Sequence, residues 1–136
     1  MGVLQESTET AGRRLEAQAP PSAGRRFALA LAIGVALGVV GARVVFVGSW
    51  LNLIPWGVAG LLLGAWSRPW WSATLVGAAY GFALAFSFMV AGYRGSLSLT
   101  TRLVPFAVLG FVGAVGGLMA AITGAAAFAI IARLRR

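Results

Sequence analysis

The side chains here that could do chemistry are arginines and almost nothing else. Eleven basic residues, all arginine, stand against Glu6, Glu9 and Glu16, and lysine, aspartate, histidine and cysteine are absent. From Ala17 onward no side chain can carry a negative charge. General acid–base catalysis, proton relays, thiol nucleophiles and metal coordination all draw on the missing residue types. The expectation is a protein that is not an enzyme, with no catalytic residue, no metal ligands and no cofactor. A guanidinium remains, and it pairs in a bidentate way with phosphate or carboxylate.

Three arginines stand at the edges of apolar runs with no acidic partner: Arg43, Arg94 and Arg102. An arginine at the middle of a membrane crossing costs about 2.5 to 3.5 kcal/mol, so these should reach an interface or a wet cavity. Two helix starts are expected beside them, at about Asn52 and Thr101. Unpaired N–H groups and the positive end of the helix dipole favour anions there. Arg43, Arg94, Arg102 and Asn52 together are therefore candidates for a vestibule that attracts a small anion or an anionic lipid headgroup. The competing reading has each arginine meeting a lipid phosphate, with Trp50, Trp56 and Tyr93 as interfacial anchors.

The elements that must position these residues follow from composition. Hydrophobic residues make up 60% of the chain and charged residues 10%, far from the roughly one quarter charged in soluble domains. The expected fold is an all-α integral membrane protein of four transmembrane helices, at about residues 27–47, 53–66, 70–91 and 104–131. Together they form one domain over residues 25–136, preceded by a disordered polar tail over residues 1–24 that holds all three glutamates. Pro55 is tolerable only in a first helical turn, which sets the start of the second crossing. The last run exceeds what a hydrocarbon core of about 30 Å requires, and Gly116-Gly117 and Thr123-Gly124 are the expected places for a bend.

The sequence also echoes itself. Ala32, Gly34, Ala36, Leu37, Gly48 and Ser49 align with Ala79, Gly81, Ala83, Leu84, Gly95 and Ser96. After a short insertion, Leu53, Pro55, Val58 and Gly60 align with Leu103, Pro105, Val108 and Gly110. This predicts two tandem helical hairpins from an internal duplication, running in the same direction. Arg25, Arg26, Arg68, Arg133, Arg135 and Arg136 collect at one side, so the positive-inside bias puts both termini in the cytoplasm and Arg43, Arg94 and Arg102 outside.

Each expected crossing carries glycines one turn apart: Gly34 and Gly38, Gly60 and Gly64, Gly77 and Gly81, Gly113 and Gly117. Such pairs let helix backbones approach closely, within one chain or between two copies. Ser72, Thr74, Ser87 and Thr123 are expected to satisfy their hydroxyls on nearby carbonyls, and Tyr80 and Ser87 to face the bundle interior. Two functions compete. One is a structural or accessory protein of a cell-membrane complex; the other is an oligomeric channel or carrier for a small anion or anionic lipid. Expected partners are the lipid bilayer, an anionic lipid or small anion, and a homodimer or larger membrane complex, with no nucleic acid. A pore requires a polar path between the helices, whereas an accessory protein requires a dry glycine-packed seam.

Overall fold

The computed structural model describes residues 23–44, 53–96 and 98–135. Asn52, Trp50, Gly48 and Ser49 lie outside them, as does the expected tail up to residue 22. The described residues form helices α1 (Ala23–Val44), α2 (Leu53–Trp66), α3 (Trp70–Gly92) and α4 (Leu99–Leu134). Helices α1, α3 and α4 are long and apolar enough to cross a membrane, as expected of a helical membrane protein. With 14 residues, α2 rises only about 21 Å, short of a hydrocarbon core of about 30 Å.

Two boundaries differ from those read from the sequence. Helix α1 is described from Ala23, ahead of the expected crossing from about residue 27, so Arg25 and Arg26 lie in its first turn. Nothing in Ala23-Gly24-Arg25-Arg26 forbids helix, and a long arginine stem can carry its charge to the interface. Helix α4 begins at Leu99, ahead of the expected helix start near Thr101 and the expected crossing from residue 104, and its 36 residues extend about 54 Å. Pro105 consequently lies inside it, not in its first turn. A proline removes one backbone bond and crowds the carbonyl one turn earlier. Residues 101–105 are exposed, whereas the next residue, Phe106, is buried. The helix continues unbroken through Gly116-Gly117 and Thr123-Gly124.

Helix α3 is the centre of the bundle. It packs along α4 and along α1, while α2 lies chiefly against α4 and more lightly on α3. Glycines set these approaches. A Cβ on Gly34 would stand 2.6 Å from the carbonyl oxygen of Tyr80, and one on Gly38 would stand 2.5 Å from that of Leu84. Both distances are far inside van der Waals contact, so only glycine allows α1 and α3 this close. The rising order of both sets of numbers shows that these two helices run parallel. Across the α3–α4 seam, Gly77 faces Gly117 and Ala121, while Gly81 faces Gly113 and Gly117, in antiparallel order. Gly64 meets the backbone of Ala121, and Gly124 that of Leu61, along α2–α4.

A small apolar cluster of Ala30, Leu63, Val76 and Tyr80 fills the space where α1, α2 and α3 converge, with Ile33, Leu37, Ala59 and Leu84 around it. Tyr80 is 3% exposed, and its hydroxyl donates to the carbonyl oxygen of Trp56 at 2.9 Å, tying α3 to α2. A buried phenol needs such a partner. Thr74 donates to the carbonyl of Trp71 at 2.7 Å, and Thr123 to that of Met119 at 2.9 Å.

Candidate functional site

Topology places the candidate arginines at one end of the bundle. Arg43 lies in the last turn of α1, Arg94 just beyond the end of α3, and Arg102 near the start of α4. Because α1 runs parallel to α3 and α4 antiparallel to it, these points fall at the same level. All three residues are exposed. The described residues contain no aspartate or glutamate, so no carboxylate side chain among them neutralises this end.

Arg94 borders a hollow. A cavity of about 350 Å³ opens between the ends of α1 and α3 and the start of α4, with Arg94 beside Phe88, Met89, Tyr93 and Phe106. The ring of Tyr93 meets that of Phe106 edge-on at 5.6 Å, which fixes the aromatic wall. Small residues create the space: Ala42 and Gly92 also line it, and a Cβ on Gly92 would come within 3.7 Å of Ala42. The arrangement is an apolar pocket with a single guanidinium at its edge. Chemically it can hold an anionic group whose attached body is apolar.

Helix termini contribute less than the sequence suggested. Asn52 lies outside the described residues. The start of α4 is at Leu99 rather than Thr101, and the Thr101 N–H already bonds the carbonyl of Ser98 at 3.1 Å. The hydroxyls of Ser98 and Thr100 bond each other at 2.7 Å.

Trp56 is half-buried and packs beneath α1: a Cβ on Gly41 would stand 2.6 Å from its ring, and Phe88 meets the indole edge-on at 5.6 Å. The absence of a side chain at Gly41 makes room for it, and sequence spacing alone did not reveal this pairing. Trp66, Trp70 and Trp71, at the opposite end, are exposed as an interfacial belt requires. There Arg26 stacks 5.9 Å from the ring of Trp66, and Arg68 stands 5.0 Å from that of Phe128.

Between the two ends the seams among the described residues are largely apolar. The buried polar residues among those described are Ser67 and Ser72, both near the arginine-rich end that holds Arg26 and Arg68. The middle of the bundle is mostly glycine, alanine, aliphatic and phenyl groups, with Ser87 against Gly38 on the α1–α3 seam and the Tyr80 hydroxyl paired. No protein-family model, curated protein or solved structure matches the chain.

Proposed function

We propose that this chain is a non-catalytic, multi-pass scaffold of the cell membrane, structural or accessory to a membrane complex. One observation supports the reading: among the described residues the helices meet largely through glycine backbones and apolar side chains. Close backbone approach provides dispersion contacts without a wet interior, suited to a rigid support and unsuited to ion conduction through a single chain. In this reading both termini face the cytoplasm, following the arginine bias, and the two hairpins descend from a tandem duplication, following the sequence echo.

The experiment is reconstitution of the full chain in liposomes with flux readouts for fluoride, chloride, nitrate and phosphate. Flux equal to that of protein-free liposomes is expected. Sustained flux of any of these anions, abolished in Arg94→Ala, would instead establish a conducting or carrier function.

A second reading rests on the cavity beside Arg94. In it, the outer end holds an anionic group, a lipid headgroup included, with Arg43 and Arg102 raising the local positive potential.

A further inference from the structure

The end of the bundle opposite Arg94 has a second hollow. It measures about 190 Å³ and lies between the end of α2, the Ser67-Arg68-Pro69 turn and α4, with Ser67, Arg68, Trp70, Ala125 and Ala129 among its walls. Another hollow, of about 230 Å³, shares Trp70, Ala125 and Ala129 and extends to Ile122. Shared walls join the two into one trough along α4. From Ile122 to Ala129 that helix rises about 10 Å, within a single leaflet of about 15 Å.

The trough changes chemistry along its length. Toward Ile122 its walls are hydrocarbon and the indole of Trp70, which is 74% exposed and stands at the rim. At the turn it becomes polar and positive. Ser67 is 1% exposed, and its hydroxyl has no hydrogen-bond partner. Buried hydroxyls are seldom left in that state, so this one calls for an acceptor or donor from outside the fold. Arg68 is exposed beside it, and Arg26 is held at the same turn, donating from Nη1 to the Arg68 carbonyl at 2.9 Å while its Nε has no partner. The described residues contain no carboxylate side chain to neutralise these guanidiniums. A hydroxyl and the Arg68 guanidinium at the head of an apolar trough, with the Arg26 guanidinium bonded to the same turn, match a phosphate attached to an acyl chain.

We infer that this trough binds one anionic phospholipid, with its phosphate at Ser67, Arg68 and Arg26 and one acyl chain along Trp70, Ala125 and Ile122. The inference concerns the end away from Arg43, Arg94 and Arg102 and stands or falls separately from the scaffold reading. A free phosphate would use the polar end and leave the trough empty, which gives the two sources different signatures.

The test is native mass spectrometry of the full chain in mild detergent with an equal mixture of phosphatidylglycerol and phosphatidylcholine. The parent is expected to retain one phosphatidylglycerol, at least about fivefold over phosphatidylcholine, a ratio that a single basic residue near the headgroup can supply. Arg68→Gln is expected to reduce that preference to near parity. Ala129→Phe, which fills the trough and leaves every charge in place, is expected to lose the retained lipid, while Gly116→Ala on the open face of α4 keeps it. Folding of each variant is checked by circular dichroism. Where Ala129→Phe does not fold, Ala125→Val fills the same trough and is read in the same way. Equal retention of the two lipids by the parent would overturn the inference, and so would undiminished phosphatidylglycerol in the filled trough. Displacement of the lipid by millimolar inorganic phosphate would assign the polar end to a free anion instead.

Discussion

Helices α3 and α4 meet backbone to backbone, whereas α1 and α2 barely meet. On the first pair, Gly77, Gly81, Gly113 and Gly117 interlock so closely that an added Cβ would run into a facing carbonyl or alanine. On the second pair, contact comes where the Trp56 indole tucks beneath Gly41. Helix α1 instead lies along α3 through Gly34 and Gly38, and α2 lies along α4 through Gly64 and Gly124. Helix pairs α1–α2 and α3–α4, whose sequences share glycines and prolines at aligned positions, thus pack in different ways. A small-residue pair makes close approach available, but it does not select the helix that approaches.

The contrast predicts an order of sensitivities. Gly81→Val should be the most damaging, by about 3 kcal/mol, because the new side chain must displace the backbone of Gly113 on the most extensive seam. Loss of folded, monodisperse protein in detergent is its readout. Gly34→Val should cost about 2 kcal/mol, since α1 leans chiefly on α3 and can shift outward. If a denaturant titration shows Gly34→Val to be the worse of the two, α3–α4 is not the dominant seam.

Gly41→Ala presses on an indole rather than on a backbone, and a cost of about 1 kcal/mol is expected. The tryptophan emission spectrum should shift as Trp56 moves, which distinguishes this site from the backbone seams. Tyr80→Phe removes the bond to the Trp56 carbonyl, and its expected cost is about 0.6 kcal/mol. A double-mutant cycle with Gly41→Ala tests whether both changes act through Trp56; strict additivity would argue that they do not. Smallest of all is Gly116→Ala, where nothing stands within 4 Å: it should leave stability unchanged or raise it by up to about 1 kcal/mol through helix propensity. A large loss there would reveal a partner helix seated on that face.

Much of this was legible in the sequence for identifiable reasons. Long apolar runs have no stable alternative to helix in lipid, so four helices follow from hydropathy, and α2 begins at Leu53 where Pro55 allows it. Pro105, the counterpart of Pro55 in the sequence echo, lies inside α4, which extends back to Leu99 despite the missing backbone bond. The arginines of the candidate outer end were readable as isolated charges. The cavity beside Arg94 was not, because it depends on Ala42, Phe88 and Phe106, which come together from three helices.

Composition by itself determined the chemical limits of this protein. Without acidic, histidine or cysteine side chains beyond Glu16, the chain can present guanidiniums, hydroxyls and hydrocarbon, and little else. Local sequence also determined where helices are possible, since apolar periodicity and backbone satisfaction act within one segment. Only the tertiary structure decided which helices touch, that α3 is central, that Trp56 packs beneath α1, and that Ser67 is buried beside Arg68. Those outcomes depend on shape matching among several helices. Glycine and alanine offer many nearly equivalent ways to approach, and the choice among them rests on packing across the whole bundle.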